Sequence, residues 1–339
     1  MPDDYISQFS GEEIDSAVRA AQIISGASTL AELRKKLEIR GDTIPVSASD
    51  STLISEALTK IPTTSSGGGG VNPNLLDNWY FGRPVNQRGQ TEYTAGGVYT
   101  LDRWWAQYDT TLSIVDGGIK IGGKWDVQQY FETTLPNATY TLSLLYKDRT
   151  GSDPLRLLIG NRTDGDLAQT ESKDASGILS ITFSTAVLNK VNFGFAGSTD
   201  NSATIIAIKL ELGDTQTLAH KENEKWVLNE IPDFGEQLRR CQRYFVRLTN
   251  AYGYGWTYSS SVANFLVPLP TTLRANPVVK LTKNGEIQTI NGSKAVTGFE
   301  AKGIHPNGLA IDLHDSANAL ISGTPVTWHD SSMDISADL

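Results

Sequence analysis

Thr204-Ile205-Ile206-Ala207-Ile208-Lys209-Leu210-Glu211-Leu212 decides the fold class. Ile206, Ile208, Leu210 and Leu212 alternate with Ile205, Ala207, Lys209 and Glu211, which is the period of two of a β-strand. Its β-branched residues suit a pleated surface. Upstream, Tyr140–Tyr146, Leu155–Ile159, Ile178–Phe183 and Val191–Phe195 repeat the signal, with Gly, Asn and Asp between them. Short strands at regular spacing predict a β-sandwich over residues 73–214, a usual size for one domain.

Residues 215–245 read as a connector. Asp233 and Glu236 cap a helix whose apolar face carries Phe234, Leu238, Cys241 and Phe245, with Arg239, Arg240 and Arg243 mostly on the opposite, solvated side. Residues 246–339 return to strand patterns at Val262–Val267, Val278–Leu281, Leu309–Leu313 and Val326–Trp328. Asn284-Gly285 and Asn291-Gly292 read there as tight hairpin turns. No fixed-period repeat supports a solenoid or propeller.

Before the sandwich, residues 63–72 form a linker whose four glycines, Gly67 to Gly70, suit a flexible tether. Residues 1–62 are helical in pattern. Ser10 and Glu13 make a capping box, and Ile14, Ala17, Val18, Ala21 and Ile24 follow as one stripe. Thr29 with Glu32 opens a second short segment, and Leu53 to Ile61 form a third, stopped by Pro62. Pieces this short gain stability from a partner surface or from folding together as a small domain. The expected architecture is mainly β: a short helical N-terminal segment, a Gly linker, a jelly-roll β-sandwich, a connecting helix and a C-terminal β domain.

The 339 residues carry 29 Lys and Arg against 38 Asp and Glu, a net charge of −9. Such a chain repels a phosphate backbone, and no basic run offsets this, so no nucleic-acid partner is expected. Cys241 is the one cysteine, which excludes an intrachain disulfide and a thiolate zinc site. The early acids Asp3, Asp4, Glu12, Glu13 and Asp15 are unlike a basic signal-peptide start, so synthesis in a reducing cytoplasm is expected. No apolar run approaches the ~18 residues of a membrane span, so no membrane insertion is expected. His220, His305, His314 and His329 fall in no HExxH or nucleophile-elbow pattern, and P-loop and Rossmann glycine motifs are lacking. No catalytic residue, metal ligand or cofactor is assigned, and the expectation is a non-enzyme. Scattered carboxylates leave a paired-acid glycosidase as the competing chemistry.

Aromatic placement is the informative feature. Trp104, Trp105, Tyr108, Trp125 and Tyr130 cluster in one stretch, with Gln107, Asp109, Asp126 and Gln128 as polar neighbours. Flat rings beside amides and carboxylates suit sugar recognition, and Trp also fills sandwich cores. Tyr252, Tyr254, Trp256 and Tyr258 alternate with Gly253, Gly255 and Thr257, so a strand places all four rings on one face. That face is either a stacking surface for a glycan or a contact between sister subunits. The candidate glycan-binding residues are Trp104, Trp105, Tyr108, Trp125, Tyr252, Tyr254, Trp256 and Tyr258.

Pro73–Phe81 and Pro84–Gly89 resemble the start of a jelly-roll module in tail-fibre-like proteins of phages and prophages from Gram-positive gut bacteria. Ala207–Asp214 is similar to the last strand of carbohydrate-binding jelly rolls. Glu236-Gln237-Leu238 and Cys241–Phe245 resemble the connector of the same phage proteins, and Phe9–Asp15 with Ala17-Val18 resembles their opening. The likeness runs to about Phe245 and is weak beyond it. It implies a structural, receptor-binding virion fibre that binds a host cell-surface glycan and forms a homotrimer. It also implies an N-terminal segment, with Ile14, Val18 and Ala21 on its attachment helix, that joins other virion structural proteins. A capsid or neck fibre with incidental adhesion and a glycan-degrading tail spike are the alternatives.

Overall fold

The computed structural model describes residues 72–338, apart from 95, 109, 162–164, 186–187 and 198 and the side chains at 125, 161, 165, 166 and 185. The expected N-terminal helices, their Ile14, Val18 and Ala21, and the glycine run lie outside the described residues. The described chain is mainly β, with one short helix.

Two six-stranded antiparallel sheets form a jelly-roll-like sandwich. One joins β1 (Glu92–Tyr93), β4 (Thr110–Val115), β5 (Gly118–Gly123), β12 (Ser202–Leu212), β7 (Ala138–Thr150) and β10 (Gly177–Thr185), in that spatial order. The other joins β2 (Val98–Tyr99), β3 (Trp105–Ala106), β6 (Trp125–Leu135), β11 (Leu188–Phe195), β8 (Leu155–Asn161) and β9 (Gly165–Ser172). The inner faces share one core, where Trp104 packs edge-on against Phe81 and Phe193 at centroid distances of 5.4 and 5.5 Å. The chain enters beside β12. Asn72 Nδ2 donates to Leu212 O at 2.7 Å, Leu75 N to Leu210 O and Phe81 N to Ile206 O, both at 2.9 Å.

The alternation expected along β12 gives way to burial on both faces. Lys209 and Glu211 are both 0% exposed, because the chain after Gly213 folds back over them. Lys209 Nζ lies 2.9 Å from Glu230 Oε1 and 3.7 Å from Glu211 Oε2, and donates to Thr217 Oγ1 at 2.9 Å. Thr217 N donates to Glu211 Oε1 at 2.6 Å. The cover is a hairpin of β13 (Ala219–Glu222) and β14 (Lys225–Leu228). It turns at Asn223-Glu224, both at positive φ (47° and 63°), a reversal made without the glycine that such turns favour.

Helix α1 (Phe234–Gln242) follows. As expected, Asp233 caps it by accepting from Glu236 N at 2.8 Å. Its buried residues are Gln237 and Cys241, and Phe245 belongs to the next strand. Gln237 Oε1 accepts from Asn78 N at 2.7 Å, so a polar residue anchors the helix to the sandwich.

The C-terminal β domain is one eight-stranded sheet built around β15 (Phe245–Thr257) and β22 (Pro325–Ser336), which pair along their lengths. On the far side of β15 lie β16 (Val262–Pro268), β21 (Gly308–His314) and β20 (Gly298–His305). Beyond β22 lie β17 (Val278–Lys283), β18 (Glu286–Thr289) and β19 (Gly292–Ala295). Ala263, Phe265, Val267, Ile311 and Trp328 fill the inner face. Asn284-Gly285 does not close a hairpin: β17 and β18 both run along β22, and Gly285 (φ 70°) sits where a Cβ would meet Ser331 Oγ at 2.2 Å. The second expected turn is a hairpin, with Ile290-Asn291 at its tip and Thr289 opposite Gly292.

Candidate functional site

The aromatic ladder on β15 follows from how the sheet packs. Gly253 and Gly255 point inward, where Phe265 and Trp328 take the space. A Cβ on Gly255 would lie 2.1 Å from Asn264 O and 2.7 Å from Phe265 Cδ1, so only glycine fits. The intervening side chains therefore face outward. Tyr254 and Tyr258 are 73% and 76% exposed, and Tyr252 and Trp256 more than half. Tyr252 and Tyr254 meet edge to face at 5.3 Å, and the hydrogen bond that the Tyr254 hydroxyl shares with Tyr252 raises its phenol above the ordinary value.

Strand register surrounds the rings with polar groups, since directly opposed residues share a face. On β22, Thr327 is opposite Tyr254, and Gln288 on β18 is opposite Thr327. On β16, Asn264 is opposite Trp256, followed by Asp312 on β21 and Glu300 on β20. Asn264 Nδ2 donates to Asp312 Oδ1 at 2.8 Å, and Lys302 Nζ lies 2.6 Å from Glu300 Oε1. Apolar ring faces flanked by amide, hydroxyl and carboxylate groups can stack on the apolar side of a sugar and satisfy its hydroxyls. Sequence reasoning missed these flanking residues, which only the register brings beside the rings.

The sandwich aromatics separate. Trp104 is fully buried and donates from Nε1 to Asn78 O at 2.8 Å. It is a core residue and not a stacking platform, which corrects the expectation. Trp105 is half-buried on β3, opposite Gln128 of β6, and Tyr108 is exposed in the following loop. Gln128 Nε2 donates to Gln107 Oε1 at 2.5 Å, and Tyr130 OH to Gln128 Oε1 at 2.6 Å. Trp125 opens β6 opposite Phe195. The structure thus places Tyr252, Tyr254 and Trp256 along β15 with Tyr258 just past its end, all exposed, and separates buried Trp104 from half-buried Trp105 and exposed Tyr108.

Two of the three connector arginines are half-buried and ion-paired with the sandwich rather than free on a solvated face. Arg240 Nη2 lies 2.7 Å from Asp77 Oδ1, and Arg243 Nη2 lies 3.0 Å from Glu132 Oε2. Near the same joint, Gln87 Nε2 donates to Phe245 O at 2.7 Å, and Arg88 lies 2.6 Å from Asp338 and over the Phe245 ring. Arg247 holds Asp334 with both Nε (2.6 Å) and Nη2 (2.7 Å). Among the described residues no group of three or more His, Cys, Asp or Glu is placed to hold a metal ion.

Asp102 at this joint accepts from Gln87 N at 2.6 Å, and burial pushes its carboxyl from an ordinary 3.8 up to about 6. The folded state therefore binds this proton more tightly than the unfolded chain does. Its contribution to stability is full below pH 4 and is lost as pH rises through 6, by at most about 3 kcal/mol. Asp102→Asn, which cannot ionise, should gain stability relative to the parent between pH 4 and pH 7. Paired denaturant melts across that range test this, and a constant difference would refute it.

Neither the protein-family models nor the curated proteins compared with the chain match it. Among solved structures it is similar to the tandem CBM22-1–CBM22-2 domain of Xyn10C from Paenibacillus barcinonensis. The identity is 12%, over 80% of this chain and 100% of that one, with a TM-score of 0.27. Discoidin II of Dictyostelium discoideum is 10% identical over 67% of this chain and 80% of that one, with a TM-score of 0.16. The Stig cyclase Fisc from Fischerella sp. TAU is 13% identical over 40% and 74%, with a TM-score of 0.22. The reading of the site rests on its own geometry.

Proposed function

We propose that this chain is a non-catalytic phage fibre protein whose C-terminal β domain presents a glycan-binding face. The carrying observation is the row of Tyr252, Tyr254 and Trp256 along β15, with Tyr258 just beyond, all exposed and flanked by Thr327, Asn264 and Asp312. Exposed apolar area of this kind, rimmed by polar groups, marks a binding surface. Virion placement rests on the resemblance of the Pro73–Gly89 and Cys241–Phe245 stretches to phage fibre proteins, and homotrimeric assembly on the same footing.

Stacking on aromatic rings in nucleic-acid sites sets the scale, roughly 1–3 kcal/mol per ring, so one such face binds weakly. Three faces on one fibre act together and raise the effective affinity. Replacing Tyr254 and Trp256 with Ala should cut binding of the whole oligomer to host cells at least about tenfold while changing stability by under about 1 kcal/mol. Cell-binding, melting and sedimentation measured on the same variants decide the matter. Loss of the oligomer alongside binding would instead make the ladder a subunit contact, and release of reducing ends from host polysaccharide would make the protein an enzyme.

A further inference from the structure

The groove where α1 meets the sandwich has a different chemistry. It encloses about 220 Å³ and is lined by Asp77, Arg103, Glu132, Arg240, Arg243 and Tyr244, among others. Arg103 sits at φ 73°, an unusual conformation for a non-glycine residue, in the turn closed by Trp104 N donating to Leu101 O. Its side chain is 2% exposed. Nε lies 3.0 Å from Asp77 Oδ2, Nη2 donates to Tyr130 O, and the guanidinium lies 3.6 Å from the Tyr244 ring centroid. Nη1 is buried with no hydrogen-bond partner.

Charge in the groove is also unbalanced. Asp77 is shared by Arg103 and Arg240, and Glu132 is held by Arg243 and by Tyr244 OH. Three guanidiniums face two carboxylates, one positive charge in excess within a chain whose net charge is −9. Arg240 and Arg243, whose side chains are 31% and 44% exposed, offer guanidinium N–H donors to the groove, and a planar or tetrahedral oxyanion is the group that pairs with them. The volume lies below the roughly 300 Å³ at which pockets for drug-sized ligands begin. The occupant is therefore a small anion or the anionic end of a longer chain.

We propose that Arg103, Arg240 and Arg243 form an oxyanion site for a single phosphate or carboxylate group, separate from the aromatic ladder and independent of its function. The test is calorimetric titration of the full chain with inorganic phosphate, with glucuronate and with glucose. Saturable millimolar-range binding is expected for phosphate, glucuronate or both, and none for glucose. Binding of phosphate alone identifies a phosphate-bearing ligand, and of glucuronate alone a carboxylated sugar. Arg243→Gln, on the more exposed side chain, should weaken binding at least tenfold with the melting temperature nearly unchanged. Glu132→Gln removes a competing carboxylate and should tighten binding several-fold, an effect that mere loss of folding cannot produce. Absence of saturable binding to either anion, or affinities unchanged in both variants, would overturn the proposal.

Discussion

Lys209→Ala is expected to destabilise the described unit by about 3–5 kcal/mol, the usual effect of removing one partner from a buried ion pair. Lys209 is the cation between Glu211 and Glu230. Glu230 can turn toward water, but Glu211 is fully buried. Without the ammonium its carboxylate keeps only the Thr217 donors. Lys209→Met with Glu211→Leu should recover much of the loss, because an apolar pair of similar volume leaves no fully buried charge and the remaining Glu230 is 32% exposed. Urea midpoints of the single and double variants test this. A single variant within about 1 kcal/mol of the parent would mean that water reaches the pair.

Trp104→Ala should also cost about 3–5 kcal/mol, as large core truncations do. The indole fills the space between Phe81 and Phe193, and its Nε1 satisfies Asn78 O. Trp256→Ala removes a ring of the same kind from an exposed face and should change stability little. The contrast between the two tryptophans is the measurement. Equal losses would place Trp256 in a buried contact, and a negligible loss at Trp104 would contradict its burial.

The strands were legible because alternation is a local signal, and β7, β8, β10, β11 and β12 all lie where the residue pattern put them. The Asp233 cap was legible for the same reason. The β15 ladder was readable as one face because glycine alternates with the rings, and the structure supplies the cause in Phe265 and Trp328. Long-range pairing hid the rest. Trp104 and Trp105 are adjacent, and which ring goes inward depends on the pairing of Trp105 with Gln128, more than twenty residues away. The two-sided burial of β12 depends on a cover supplied by residues 215–230. The arginine groove joins Asp77, Arg103, Glu132 and Arg240 from four separate stretches. Reading α1 by its apolar face alone set aside Gln237 and two arginines that hold the helix in place.

The entry ladder beside β12 has a mechanical consequence. Asn72 is bonded to Leu212, so the points where the chain enters and leaves the sandwich lie side by side at one end of an antiparallel pair. Tension along the backbone loads the Asn72–Leu212, Leu75–Leu210 and Phe81–Ile206 bonds one after another, as in opening a zipper, rather than all at once in shear. The entry segment from Asn72 to Phe81 peels first, ahead of the sandwich strands themselves.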